Sequence, residues 1–247
     1  MMLQVQGLSK IFGGLRAVDD ASLTVDPGRI VALIGPNGAG KTTFFACVAG
    51  FHTPDAGRVH FNGQDITGMA PHLIARRGMV RTFQITQPFA KLSVLDNIMV
   101  GAYQLHAHDA EARAHAIAVA QKVGMAPLLG QPAMELTVAG RKRLELARAL
   151  ATNPQLLLLD EVMAGLNPSE IVEMVGIVRT IRDMGVTVLL IEHVMQAVMS
   201  LSEHIYVLSH GRVIAQGAPR DVVSDPAVIE AYLGRGAAAI HGGAAHA

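Results

Sequence analysis

Residues 35–42 read GPNGAGKT, which fits the spacing G-x-x-x-x-G-K-[ST]. Glycines at such positions let consecutive backbone N–H groups turn inward around phosphate oxygens. A helix starting directly behind the loop adds the partial positive charge of its N-terminus. The chemistry predicted is therefore the binding of a nucleotide polyphosphate. Asn37, Gly38, Ala39 and Gly40 form the cradle, Lys41 reaches the β- and γ-phosphates, and the Thr42 hydroxyl coordinates Mg²⁺, with Thr43 beside it. Alone, the spacing also arises by chance in a chain with 25 glycines. Its place between an apolar stretch and a helical one argues for the phosphate site.

Residues 156–161 read LLLLDE. Four consecutive leucines fit a strand buried on both faces. Asp160, at its carboxyl end, is placed to hold a Mg²⁺ shell as the second acid of P-loop hydrolases does. Glu161 is then the base that polarises the attacking water. Two surface carboxylates closing a strand would be the plainer reading of this stretch by itself. A P-loop in the same chain favours the catalytic one.

The elements that must position these groups follow from the apolar pattern. Residues 30–34 form an apolar strand ahead of the loop, and a helix opens near Lys41. Before them, LQVQGLSKIF and ASLTVD alternate apolar and polar residues, as strands with one solvated face do. GRVHFNGQDI reads as a strand and turn, and residues 92–129, rich in Ala and Met, read as a bundle of helices. From Leu136 the order is a small-residue loop (TVAG), a basic amphipathic helix, the LLLLD strand, a helix over 168–184, the strand VTVLLIEH, another helix, and a hairpin in HIYVLSHGRVIAQG. Strands alternating with helices predict an α/β fold with a mainly parallel sheet. No internal repeat occurs, so a single unit is expected. The low-complexity end, GRGAAAIHGGAAHA, is expected to be disordered.

Composition narrows the setting. Charged residues make up 16% of the chain and hydrophobic ones 51%, against about 25% charged in an average globular domain. So apolar a composition suggests that some surface is buried against a partner. The 20 basic and 20 acidic side chains cancel, which leaves no electrostatic footprint for nucleic acid. Cys47 is the sole cysteine, so no internal disulfide forms and a reducing cytoplasm is the natural setting. The first residues lack a long apolar stretch, so no signal peptide is expected. No window approaches 18 uninterrupted apolar residues either, so no membrane span is expected and any membrane link runs through another protein.

The order of GPNGAGKTT, RTFQ, a helical insert, LTVAGRKRLELARAL, LLLLDE, AGLN and LLIEH resembles the nucleotide-binding subunit of ABC transporters, over residues 3–233. TFQ, DNIMVG and VIEAYLG are most similar to the branch that powers uptake of branched-chain (hydrophobic) amino acids. The resemblance implies a P-loop NTPase core with an antiparallel β subdomain and a helical subdomain. One domain would run over 1–235, with the helical part inserted at about 86–155 and a disordered tail at 236–247. It assigns Gln84 to the metal and the attacking water and to the link with the helical insert. His193 becomes the switch histidine on the γ-phosphate. Phe12 stacks on adenine, and Val18 packs beside the base. Asn167 stands where the family has aspartate, in the loop that crosses the dimer interface.

In place of the family's Leu-Ser-Gly-Gly-Gln signature, this chain has Leu136, Thr137, Val138, Ala139 and Gly140. Thr137 keeps a hydroxyl, Ala139 keeps a small side chain and Gly140 replaces the glutamine, while backbone N–H groups bind anions whatever the side chains are. The resemblance further implies MgATP hydrolysis in a head-to-tail dimer with a second ATPase subunit. That dimer would sit at the cytoplasmic face of the inner membrane against integral-membrane permease subunits, fed by a periplasmic binding protein. The alternatives are an ATPase of lipid or lipopolysaccharide export, a soluble ABC protein of ribosomes or DNA, and a non-catalytic partner subunit. The ribosome and DNA types carry two cassettes or a long coiled-coil insertion, and this sequence has neither.

Overall fold

The computed structural model describes residues 1–82 and 87–233. Gln84 and the tail expected over 236–247 lie outside the described residues. The chain begins with β1 (Leu3–Phe12) and β2 (Leu15–Val25), then β3 (Ile30–Ile34) and α1 (Lys41–Val48), followed by β4 (Ala56–Phe61) and β5 (Gln64–Asp65). Strands β2, β1, β4 and β5 lie in that order in an antiparallel sheet. The alternation in β1 is what the sequence pattern requires: Leu3, Val5 and Leu8 are buried, while Gln4 and Gln6 are not.

Next come α2 (Pro71–Arg76), β6 (Met79–Arg81), α3 (Val94–Ala102), α4 (Asp109–Lys122) and α5 (Val138–Leu150). The remainder is β7 (Leu156–Asp160), α6 (Pro168–Asp183), β8 (Thr187–Ile191), α7 (Met195–Leu201), β9 (His204–Ser209), β10 (Arg212–Gly217), α8 (Pro219–Val223) and α9 (Pro226–Leu233). The second sheet has the order β10-β9-β3-β8-β7-β6, with every neighbouring pair parallel except the β9–β10 hairpin at the edge.

Strands β3, β7 and β8 are buried at every position. Their alternate residues feed two separate cores. Leu157 and Leu159 pack with Val188 and Leu190 into the core shared with α3 to α7, whereas Leu156 and Leu158 join Leu189 and Ile191 beneath α1 and the antiparallel sheet. A strand serving two cores must be apolar at consecutive positions, which is why four leucines stand in a row.

The helix after Leu136 differs from its sequence reading. The TVAG stretch was expected to be a loop, yet α5 already starts at Val138, and Thr137 is its N-cap, accepting the Gly140 N–H at 3.1 Å. Val138, Ala139 and Gly140 occupy the first turn, where low helix propensity costs least because those N–H groups have no intrahelical partner in any case.

Asn167 caps α6. Its side chain accepts the Glu170 N–H at 3.0 Å, and the Glu170 carboxylate accepts the Asn167 N–H at 2.9 Å. This reciprocal capping box works with either Asn or Asp at the first position. Asn167→Ala should lower stability by about 1 kcal/mol and Asn167→Asp by less than about 0.5 kcal/mol, read from urea-unfolding midpoints. Equal losses in both variants would contradict a capping role.

Candidate functional site

All strands parallel to β3 end on the same edge of the sheet, and the chemistry-bearing residues gather there. β3 stops at Ile34, the loop follows, and α1 opens at Lys41 behind an N-cap, Gly40, in the left-handed region. The loop lies so close to its neighbours that side chains are excluded at two positions. A Cβ at Gly35 would sit 2.0 Å from the Leu208 carbonyl oxygen, and one at Gly40 would sit 2.1 Å from that of Ala17. Gly40 also has φ +102°, which disfavours any other residue.

Every residue from 37 to 43 lines a pocket of about 540 Å³, whose walls also include Phe12, Ala17, Glu161 and His210. The volume falls within the usual range for a small-molecule ligand. Lys41 is only 7% exposed. Its ammonium donates to the carbonyls of Gly35 (2.7 Å) and Pro36 (3.0 Å) and so spans the loop. Burial lowers its pKa, and the carboxylates of Glu161 and Asp160 pull it back up. The P-loop lysine and both acids of LLLLDE therefore share one electrostatic environment.

Phe12 is 42% exposed at the pocket mouth, with His52 packed edge-on at 5.3 Å between ring centroids. Val18, expected beside the base, does not line this pocket. It is fully buried in the core with Phe44 and Phe45, and Ala17 forms the pocket wall instead. Successive side chains on a strand point to opposite faces, so the residue next to Val18 faces the pocket while the larger apolar one goes inward.

Asp160 is completely buried. Its Oδ2 accepts from Arg81 at 2.6 Å, and its Oδ1 has no hydrogen-bond partner among the described residues. Burial raises the Asp160 pKa against the pull of Arg81. Asp160 and Thr42 both line a second cavity of about 760 Å³, bounded by Val80 and Arg81 of β6, Val100 of α3 and Arg148 of α5. An orphaned carboxylate oxygen and a hydroxyl at one cavity form an all-oxygen donor set, which suits a hard divalent cation such as Mg²⁺. The residues present fit that ion.

Glu161 follows with φ +51°, a left-handed backbone that is uncommon outside glycine. Such strain, on the order of 1–3 kcal/mol, tends to cluster at functional sites. The Glu161 Oε2 lies 4.0 Å from Nδ1 of His193, whose side chain is half-exposed. Two residues that sequence reasoning did not single out also meet here. Lys142 of α5 donates to the Glu161 carbonyl at 2.9 Å, and Glu192 accepts the Met163 N–H at 2.8 Å. Both are buried. A lysine on a basic helix reads as a solvated charge, so its sequence gave no signal.

Thr137, Ala139 and Gly140 line neither cavity. Within one chain they are not brought to the P-loop. Ala139 is 6% exposed, while Val138 beside it is 52% exposed.

A family model described as ABC transporter matches residues 18–164, and one described as branched-chain amino acid ATP-binding cassette transporter matches residues 212–238. The chain is 39% identical to the high-affinity branched-chain amino acid transport ATP-binding protein BraF of Pseudomonas aeruginosa, over 94% of this chain and 98% of that protein. It is 38% identical to the lipopolysaccharide export system ATP-binding protein LptB of Escherichia coli, over 94% of this chain and 97% of that one. Among solved structures, the ADP conformation of MJ1267, an ATP-binding cassette of an ABC transporter, superposes with a TM-score of 0.86. Its identity is 32%, and the match covers 95% of this chain and 99% of that one.

The Arg81–Asp160 pair generates a test that needs no ligand. Removing one partner leaves the other charge buried and uncompensated, which typically costs about 3–5 kcal/mol. Arg81→Met should therefore lower the unfolding free energy of the nucleotide-free protein by about that amount. A loss below about 1 kcal/mol in chemical denaturation would show that Asp160 is not held by this contact.

Proposed function

The chain belongs to the ABC transporter family of ATP-binding cassettes, and on that premise we propose that it is the ATP-hydrolysing subunit of an importer for branched-chain or other hydrophobic amino acids. The observation that carries the reading is one pocket that holds the P-loop, residues 37–43, on one side and Glu161 on the other. The stretch matched by the branched-chain transporter model supports the solute class.

In this reading the ATP triphosphate lies against the loop amides and the α1 N-terminus, with Lys41 turning from the Gly35 and Pro36 carbonyls to the phosphates. Phe12 offers its exposed face to adenine. Thr42 and Asp160 would hold Mg²⁺, whose role is to offset phosphate charge, and Gln84 joins that shell on the family pattern alone. The Glu161 carboxylate takes the proton from the attacking water. His193, close to that carboxylate, donates toward the γ-phosphate. Thr137, Ala139 and Gly140, set apart from the P-loop of their own chain, serve the nucleotide of a second ATPase subunit in a head-to-tail dimer.

Among the described residues no helix is long and apolar enough to cross a membrane. We assign the chain to the cytoplasmic face of the membrane through integral permease subunits, which a periplasmic binding protein would supply. The docking region proposed is the 760 Å³ cavity. Phe89, Val100, Tyr103 and Leu105 near it are each about half exposed. The helical subdomain proposed over 86–155 supplies that surface. The similarity to LptB supports a second reading, an export ATPase. Reconstitution with each type of permease separates the two.

Glu161→Gln should retain ATP binding and lose hydrolysis by about 10²–10⁴-fold, the usual effect of removing a general base. Unchanged turnover would remove Glu161 from that role. The composite site predicts complementation. Ala139→Asp sets a carboxylate against the γ-phosphate of the opposite subunit, where like charges repel, and Lys41→Ala removes a phosphate contact from its own P-loop. Each variant alone should be nearly inactive, and mixing them should restore partial ATPase activity through heterodimers with one intact site. Should the native dimer contain a different ATPase, the two changes belong on opposite subunits. Full activity of Ala139→Asp alone would place the signature away from the γ-phosphate.

A further inference from the structure

The residues 161–163 make a short turn whose backbone is held from three sides. Glu161 donates its N–H to the Ile191 carbonyl at 2.9 Å. Its own carbonyl accepts from Lys142 Nζ at 2.9 Å, and the Met163 N–H is accepted by Glu192 Oε1 at 2.8 Å. Lys142 is 7% exposed and Glu192 is 1% exposed. Taking either charge out of water is costly, on the order of several kcal/mol. Neither has its charge matched in a salt bridge among the described residues. The two instead feel each other's charge across the turn, and Lys142 donates to, while Glu192 accepts from, a backbone group of that turn. The second Glu192 oxygen, Oε2, is buried with no hydrogen-bond partner among the described residues.

A turn of three residues seldom needs two buried ions to fold. What sets this one apart is Glu161, held at φ +51°. With the peptide planes on either side held, this left-handed backbone sets the direction of the Cα–Cβ bond from which the carboxylate extends. Lys142 pins the plane after Glu161, and the Ile191 carbonyl pins the plane before it. Glu192 prevents the turn from unwinding at Met163.

The two ions come from separate places. Lys142 lies on α5, five residues beyond the Thr137 cap, and Glu192 lies between β8 and His193. Movement of either element therefore passes directly to the backbone that aims the carboxylate.

The geometry points to Lys142 and Glu192 as positioning residues that clamp the 161–163 turn and tie the aim of Glu161 to the signature helix and to the His193 strand end. This rests on the reading of Glu161 as the base. Neither side chain lines the P-loop pocket; both act through the backbone of Glu161 and Met163. The roles are distinct from a general packing function because a hydrocarbon of equal volume would fill the same space and lose the hydrogen bond.

The test is steady-state ATPase activity of the full chain in its assembled complex, together with equilibrium binding of a fluorescent ATP analogue. Lys142→Met keeps the side-chain length and removes the donor. It should lower kcat by about 10–100-fold, the scale of a small misplacement of a reacting group, with KM and nucleotide affinity held within about twofold. Lys142→Arg restores a donor and should recover most of the loss. Glu192→Gln keeps an acceptor for Met163 and should be milder than Glu192→Leu. If Lys142→Met fails to fold because Glu192 is left uncompensated, Lys142→Met/Glu192→Leu removes both charges, should fold, and should show the same kcat defect.

In a Glu161→Gln background, Lys142→Met should cost nothing further, since the group it aims is gone. An unchanged kcat in Lys142→Met overturns the proposal, as does a loss that is fully additive with Glu161→Gln. Normal turnover of Glu161→Gln by itself is the separate outcome that overturns the base assignment, and the clamp with it.

Discussion

The parallel alignment of β3, β6, β7, β8 and β9 is the constraint on which the site depends. Because the central three are buried on both faces, their backbones run through two cores and tolerate no charge along their length. Polar groups emerge only where the strands stop, and parallel strands all stop at one edge. There the P-loop leaves β3, Arg81 closes β6, Asp160 closes β7, and Glu192 and His193 follow β8. That edge therefore gathers residues from four separate stretches of sequence, at the place where open α/β sheets bind their ligands.

The same edge concentrates the buried charge. Among the described residues, the charged side chains classed as buried are Lys41, Lys142, Asp160 and Glu192, and all four lie there. Each is costly in isolation. Together they alternate in sign around the 160–163 turn, so every ion has an opposite neighbour even where no direct salt bridge forms. Such an arrangement suits a site that must receive a highly charged ligand, because lysines and carboxylates already held rigidly need little rearrangement when charge arrives.

Much of this was legible in the sequence, and for identifiable reasons. The bounds 30–34 for β3 and the helix start at Lys41 follow from a sharp change of composition at Gly35. The four leucines of β7 announced a doubly covered strand. The sequence-predicted loop residues line a single pocket because they are contiguous. Contacts between distant stretches left no comparable trace. Arg141, Lys142 and Arg143 look alike on a basic helix until the fold turns Lys142 onto Glu161. Arg81 had no visible tie to Asp160, 79 positions away. Val18 and Ala17 are both small and apolar, and only the register of β2 decides which lines the pocket. The start of α5 was misplaced because propensity marked TVAG as loop, whereas a good N-cap at Thr137 outweighed it.

The departures from the family pattern are physically tolerable for related reasons. In the signature, Thr137 uses its hydroxyl oxygen to accept from Gly140, which leaves the hydroxyl proton for donation and the Val138 and Ala139 N–H groups at the open end of α5. In the proposed dimer those two amides, with the helix behind them, would carry the anion-binding capacity, and neither depends on side-chain identity. Glutamine at the fifth position would add reach, but the backbone donors remain without it. Asn167 follows the same logic. Its side-chain oxygen already serves the Glu170 N–H, so the charge that aspartate would bring is not needed to start α6. Where backbone groups and caps would supply the function, the sequence is free to change; where a charged side chain would supply it, as proposed for Lys41, Asp160 and Glu161, the residue type is fixed by the chemistry.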